Sequence, residues 1–380
     1  MIYLDNAATS AQKPQKVYRA VWDMLTKNGA SPGRGSYKNA ILATEAIYDA
    51  REKLAELFHV ADPARVIFTA NTTQALNLAI CGFLSYGDHV IYSSMEHNSV
   101  VRPIQTLEKQ KRITSSMLKA DSNGVWNPES LHALIRPNTR LICLNHSSNV
   151  CGALSDICAA ATIARKHGVR ILIDAAQSAG TQNIDASLFD FVAFPGHKGL
   201  LGPAGTGGLC IGKDIELSPL FTGGTGSQSE NLLQPDILPD RFESGTQNAP
   251  AIAGLSAALS FLREVGSETI RKHEETLCKK FDEAIRQMPG VTLYGSSHKT
   301  AISAINIQGL DAAVAAELLD ERYGICVRSG LHCAPLAHQT LGTYETGAIR
   351  FSFGVFNTEQ DVLRAIDAVY ALSREFVNKP

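Results

Sequence analysis

The sequence predicts an α/β protein: a large domain on a mostly parallel sheet flanked by helices, then a smaller α+β domain. Three observations predict it. Short apolar runs alternate with longer helix-like segments between about residues 46 and 212. A glycine-rich, polar stretch at 223–239 then reads as an irregular surface loop. After Pro289-Gly290 the pattern changes to short strands and amphipathic helices.

Taken in order, the runs 66–68, 90–92, 141–144, 171–173 and 191–194 are rich in Val, Ile, Leu or Phe and predict strands. The segment 155–167 predicts a helix that stops at Gly168. Glycines at 202–208 are spaced GxxGxGG rather than GxGxxG, and the apolar 209–211 just after them reads as a strand. A dinucleotide-binding turn would need a helix there. A long helical pattern covers 249–288 with a gap at Gly266. Strands are expected at 301–307, 325–328 and 348–353, and helices at 311–322 and 358–376.

The 380 residues are 44% hydrophobic and 19% charged, with a net charge of −2. That material suffices for a large core. No basic stripe of the kind nucleic acid requires is present, nor an apolar run long enough to span a membrane. The N-terminus MIYLDNAATS lacks the pattern of a signal peptide. Eight cysteines form no CxxC pair and no metal-ligand spacing, and most lie in apolar stretches. A cytoplasmic protein with reduced thiols and no metal is expected.

In open parallel sheets, ligands bind beyond the carboxyl ends of the strands. Each predicted run here ends in polar, reactive side chains. Thr72 and Thr73 come after the first, where a helix N-terminus with two hydroxyls makes a phosphate site or simply a cap. His97 comes after the second and Asn149 after the third. Asp174 ends the fourth; a carboxylate there needs a partner such as a pyridinium N–H, or else it caps the next helix. Gln177, a helical turn on, could donate to a phenolic oxygen. His197 and Lys198 come after the fifth run and precede glycines. A lysine so placed can have its pKa lowered for imine chemistry. The inventory points to pyridoxal phosphate.

These residues lie in motifs that resemble the class V aminotransferase fold, and within it the cysteine desulfurases and selenocysteine lyases. The motifs are YLDNAATS (3–10), PGRGSY (32–37), FTANTTQALN (68–77), EHNS (96–99), HSSNVCG (146–152), DAAQ (174–177), GHK (196–198), RFESGTQN (241–248) and RSGLHCAPL (328–336). Their order and spacing span nearly the whole chain. The resemblance implies an aspartate aminotransferase-like large domain over 15–260 that binds pyridoxal 5'-phosphate. It implies a small domain over 261–380 carrying the active-site cysteine loop, with segment 1–14 packing against it. Lys198 would carry the cofactor as a Schiff base. His97 would stack on the ring, Asp174 would pair with the ring nitrogen, and Gln177 with the phenolic oxygen. Thr72, Thr73 and His197 would bind phosphate. Asn149 and Arg350 would hold the substrate carboxylate, with Arg328 close to the active cysteine. Thr225 would reach the phosphate of a neighbouring subunit, which makes a homodimer the expected state.

Cys333 is similar in position to the family's persulfide-forming cysteine, and its short loop resembles the branch with a compact active-site segment. L-Cysteine would yield L-alanine and a persulfide, with a further acceptor protein removing the sulfur. Alternatives are L-selenocysteine as substrate, or an aminotransferase or C–S lyase that does not use Cys333. Arg328 and His332 are expected to supply a positive field for the thiolate. Cys326 is expected in the core and His338 on the surface. Two residues depart from the pattern: Pro195, where relatives often carry a phosphate-binding serine, and Leu331, where some carry histidine.

Overall fold

The computed structural model of the chain describes residues 1–33 and 35–376. Arg34 of the PGRGSY motif and residues 377–380 lie outside the described residues. The chain opens with strand β1 (Ile2–Tyr3) and helices α1 (Gln15–Thr26) and α2 (Lys38–Leu57). Strand β2 (Val66–Thr69) leads into α3 (Thr72–Phe83), β3 (His89–Ser93) into α4 (Asn98–Lys109), and β4 (Thr114–Leu118) into the single turn α5 (Leu131–Leu134). Then come β5 (Thr139–Asn145), α6 (Ile157–Lys166), β6 (Arg170–Asp174), β7 (Phe191–Pro195) and β8 (Gly207–Ile211). Every apolar run expected as a strand in this region is one. The polar β4, TSSML, was not expected: as an edge strand it is only partly buried and carries no apolar run.

These strands form a seven-stranded sheet in the order β2-β8-β7-β6-β5-β3-β4. Strand β8 runs antiparallel to β2 and β7, and the remaining pairs are parallel. Parallel strands need crossovers that place helices on both faces, which explains why β3, β6 and β7 are almost wholly buried. One face packs on α2 and α6, with the Phe58 and Phe194 rings 4.8 Å apart. The other packs on α3 and α4, with Phe83 set edge-on to Phe191 at 5.5 Å. Parallel strands share a direction, so Ser93, Asn145, Asp174 and Pro195 end on one edge of the sheet.

The expected helical stretch with its gap is α7 (Ala249–Val265) and α8 (Ser267–Ile285), separated by Gly266 at φ +87°. Helix α7 runs through position 260, and Ile270 of α8 still belongs to the core of the seven-stranded sheet. Next come β9 (Val291–Tyr294), β10 (Ile302–Ile307), α9 (Ala312–Tyr323), β11 (Ile325–Cys326), β12 (Arg328–Gly330), α10 (Pro335–Thr340), β13 (Ala348–Ser352) and α11 (Glu359–Phe376). An antiparallel sheet of order β12-β13-β10-β9 packs on α8 and α11 around Phe281, Phe351 and Val369. The single strand expected over 325–328 is two. β11 pairs in parallel with β1 (Ile2↔Ile325), whereas β12 pairs with β13 (Arg328↔Arg350). Ile2 and Leu4 lie in this second core.

Candidate active site

A cavity of about 210 Å³ opens where the strand ends of the large sheet meet β12, β13 and the loop after β12. It brings together Thr72, Thr73, His97, Asn149, Asp174, Gln177, His197, Lys198, Arg328, Cys333 and Arg350. These are all the expected site residues except Thr225.

The sheet side of the cavity is built from strand ends. Asp174 closes β6 and is buried; its Oδ1 accepts from the Ala176 N–H at 2.9 Å. A turn, not a helix, comes next, so Asp174 caps no helix. Burial pushes its carboxyl up, opposed by that N–H and by Lys198. Lys198 comes three residues after the end of β7, between two glycines. A Cβ at Gly196 would collide with Thr206, and one at Gly199 with the Ala179 carbonyl. The chain passes too close to its neighbours for any other residue there. Burial lowers the Lys198 pKa to about 8; Asp174 opposes this, and Arg350 and Arg328 add to it.

Helix α3 is capped by Asn71, whose side chain accepts from the Gln74 N–H at 3.0 Å. Thr72 and Thr73 therefore occupy the first helical positions, where backbone N–H groups lack intrahelical partners. Thr73 Oγ1 lies 2.8 Å from Ser99 Oγ, itself 2.9 Å from His97 Nδ1. The Ser99 N–H also donates to His97 Nδ1 at 3.0 Å, so the neutral ring carries its proton on Nε2. Burial brings His97 down to about 4, and His197, which sits 3.1 Å from Thr9 Oγ1, likewise to about 4. Both rings are neutral near pH 7. The Gln177 amide donates to the Ala7 carbonyl at 3.0 Å.

The opposite side is built differently. Arg350, in the middle of β13, is 2% exposed. Its Nη1 donates to the Asn149 carbonyl at 2.9 Å and its Nη2 to Asp5 Oδ1 at 2.6 Å, while its Nε has no partner among the described residues. Arg328 is its direct cross-strand neighbour, so two guanidinium groups flank one end of the cavity. Cys333 is exposed and lies at φ +58°, directly after His332 at φ +48°. Two consecutive left-handed residues other than glycine cost roughly 1–2 kcal/mol each. The loop is held by the Asn98 N–H on the Cys333 carbonyl at 2.8 Å and by Asn149 Nδ2 on the His332 carbonyl at 2.6 Å.

Several expectations are corrected. His332 supplies no positive field: burial and the Arg350 charge bring it down to about 2, so it is neutral. Its ring faces His338, not solvent. His338 is fully buried rather than on the surface, because its ring packs against His332 and bonds Thr343. Cys326 is half-exposed rather than core, since β11 is a two-residue edge pairing. Thr225 is expected to reach a neighbouring subunit's phosphate rather than this cavity, and it borders a separate cleft with Thr44, Arg51 and Asp240.

Sequence reasoning missed Asp5, Ser99 and Glu96 as individual residues, though all three stand inside the motifs named above. Glu96 is buried; its Oε1 accepts from the Asn145 N–H at 2.8 Å and from Ser93 Oγ, and its Oε2 has no partner among the described residues. Burial raises its pKa to about 8. An acidic residue directly before a site histidine was the available signal.

The family model described as aminotransferase class-V matches residues 2–364. The chain is 35% identical to a probable cysteine desulfurase of Methanothermobacter thermautotrophicus, over 95% of this chain and 92% of that one. It is 34% identical to another from Halalkalibacterium halodurans, over 95% and 90%. Among solved structures, the apo cysteine desulfurase of Thermococcus onnurineus NA1 superposes with a TM-score of 0.91 at 29% identity, covering 99% of this chain and 95% of that one. The cysteine desulfurase CsdA of Escherichia coli, in an S-sulfonic acid form, gives a TM-score of 0.90 at 29% identity, over 98% and 95%. With these motifs, this sheet order and a match over almost its entire length, the chain belongs to the class-V aminotransferase family.

Proposed function

We propose that this protein is a pyridoxal-phosphate-dependent cysteine desulfurase. It converts L-cysteine to L-alanine and takes the sulfur onto Cys333 as a persulfide. The observation that carries this reading is an exposed thiol bordering the same cavity as Lys198, Asp174 and Arg350. Relatives named cysteine desulfurase support it.

The residues present fit the cofactor. Asp174 is a buried carboxylate raised by burial, which a ring N–H would relieve. The first turn of α3, with Thr72 and Thr73, and the neighbouring His197 suit a phosphate. Lys198, lowered to about 8, is partly neutral near pH 7 and can attack an aldehyde. Pyridoxal phosphate supplies an aldehyde that takes the substrate amine and an electron-poor ring that stabilises charge at the α-carbon.

The chain's own groups do the rest. Arg350, oriented by Asp5 and the Asn149 carbonyl, offers its unpartnered Nε and remaining N–H groups to the substrate carboxylate. Lys198 Nζ removes the α-proton and returns it during formation of alanine. The neutral His97 ring covers one face of the site and is able to donate from Nε2. Cys333 Sγ, as thiolate, attacks the substrate sulfur; the S–S bond forms as the C–S bond breaks, and the electron pair left on the β-carbon takes up a proton to give alanine's methyl group, matching the proton Cys333 gave up. Arg328 borders the same cavity as Cys333. Gln177 serves the cofactor's phenolic oxygen. In this reading 15–260 hold the cofactor, 261–380 hold the cysteine loop, and 1–14 serve the latter. The active unit is a homodimer in which Thr225 reaches the partner's phosphate. The protein works in the cytoplasm and passes sulfur to an acceptor protein. Among the described residues no helix is long and apolar enough to cross a membrane.

The test is product analysis with a Cys333→Ala variant. The parent should form alanine and, with a reducing thiol, equal sulfide from L-cysteine, and the variant should form neither. Alanine from L-cysteine by the variant, or pyruvate in place of alanine, would overturn the reading. Turnover of L-selenocysteine alone would move it to a selenocysteine lyase.

A further inference from the structure

We propose that a buried hydrogen-bond chain, Thr343–His338–His332, is a positioning device for Cys333: it braces the left-handed His332–Cys333 backbone and holds the thiol at the cavity. This rests on the reading of Cys333 as the sulfur acceptor.

The geometry fixes the direction of every bond. His332 Nε2 lies 3.3 Å from the Arg328 carbonyl, which can only accept, so Nε2 carries the proton. Arg350, Arg328 and burial all oppose a charged ring, so Nδ1 of the neutral His332 is an acceptor. His338 Nε2, 3.1 Å away, must then donate. His338, lowered by burial to about 4, is neutral too, so its Nδ1 accepts from the Thr343 hydroxyl at 2.8 Å. The ring centroids lie 5.3 Å apart with 21° between their planes, the near-coplanar, edge-to-edge placement an N–H···N bond requires. All three side chains are buried, so water does not compete for these bonds.

The ends of the chain are anchored in regular structure. Arg328 belongs to β12. The Thr343 N–H donates to the His338 carbonyl at 2.8 Å, and the Gly347 N–H to the Thr343 carbonyl at 2.9 Å, one residue before β13. Residues 331–334 are thus cross-braced between β12 and the approach to β13. Without the brace, the strained pair at 332 and 333 relaxes towards ordinary backbone and the thiol swings away from the reacting sulfur. The Asn98 N–H, which donates to the Cys333 carbonyl, reports whether that backbone has moved. His332 borders the cavity, whereas His338 and Thr343 lie behind it and act only through His332.

The experiment uses holoenzyme carrying H338L, H338Q or T343V. H338L removes the donor to His332, and H338Q keeps an N–H near the Nε2 position. T343V removes the donor to Nδ1 with little change in shape. For H338L, kcat for alanine formation should fall by roughly tenfold to a hundredfold, with KM for L-cysteine within about twofold, as expected for a misplaced reacting group. Hydrogen exchange at the Asn98 amide should accelerate. H338Q should recover most of kcat, and T343V should fall between H338L and the parent. Should H338L fail to fold, T343V and H338Q carry the same comparison. Parent-like kcat and Asn98 exchange in folded H338L or T343V would overturn the proposal, as would equal losses in kcat and KM. Cys333→Ala separates the two levels. If it still turns over L-cysteine, the sulfur-acceptor reading has failed. If it is inactive while H338L is parent-like, only the brace has failed.

Discussion

On the sheet side of the cavity, Asp174 and Lys198 sit at or just past strand ends, inside a seven-stranded core whose strands leave little freedom. On the other side, Cys333 stands in a short loop between β12 and α10, on left-handed backbone held by side-chain bonds. The first side owes its geometry to the fold itself, because any parallel sheet of this order aims its strand ends at one place. The second owes it to a few specific hydrogen bonds from Asn149, Asn98 and the buried histidines. In the proposed reading, cofactor binding and proton transfer therefore depend on sheet geometry, and sulfur transfer on a local brace. Changes on the two sides should produce different kinds of failure.

The largest expected effect lies on the sheet side. In the proposed reading Lys198→Ala removes both the cofactor's anchor and the proton carrier, and alanine formation should fall by about 10⁴-fold or more. Its visible absorption with pyridoxal phosphate should change as well, whereas Cys333→Ala should keep the parent spectrum. A Cys333→Ala protein that loses the cofactor band would erase the distinction between the sides.

The next effect sharpens the same side. Only neutral Lys198 attacks an aldehyde, and its pKa is lowered to about 8. The neutral fraction rises with pH up to that value, so capture of pyridoxal phosphate by cofactor-free protein should speed up about fiftyfold between pH 6 and pH 8 and flatten above it. Stopped-flow absorbance gives the rate. A rise continuing steeply past pH 10 would mean that Lys198 is not depressed.

Asp5→Asn addresses the point where the sides meet. It removes the carboxylate that holds Arg350 and leaves a buried guanidinium with less compensation. KM for L-cysteine should rise by roughly tenfold, with a smaller change in kcat. Steady-state kinetics would detect a kcat effect larger than the KM effect, which would assign Asp5 a different task.

The last effect is on stability rather than on activity. Glu96 is buried, and its pKa is raised to about 8. The folded protein keeps this proton while the unfolded chain loses it above about pH 4.5, so stability falls as pH rises from there towards 8. Glu96→Gln removes that dependence. The variant should gain on the order of a few kcal/mol over the parent at pH 8 and little near pH 5. Thermal melts at the two pH values test the sign.

The difference between the sides also governs what was legible in the amino-acid order. The five apolar runs, each with reactive residues at its carboxyl end, revealed the sheet and its edge, because parallel strands buried on both faces need unbroken Val, Ile, Leu and Phe. Lys198, Asp174, Thr72 and Thr73 could be found by looking at the carboxyl end of each run. The edge strand β4 escaped, since TSSML has no such signature. On the other side, Cys333 was found by motif, but His338 looked like a surface residue and His332 like a cation. A histidine's burial depends on partners in neighbouring turns and strands, here four to six residues away, that periodicity does not reveal. Asp5 was hidden because its partner Arg350 lies 345 positions along the chain.

The central claim is that sulfur leaves cysteine for Cys333. The most direct measurement is the intact mass of holoenzyme after a brief exposure to L-cysteine without reductant, with peptide mapping and a parallel count of alanine. One added sulfur atom on the Cys333 peptide for each alanine formed in the first turnover is the predicted result. Alanine released while that peptide keeps its original mass would contradict it.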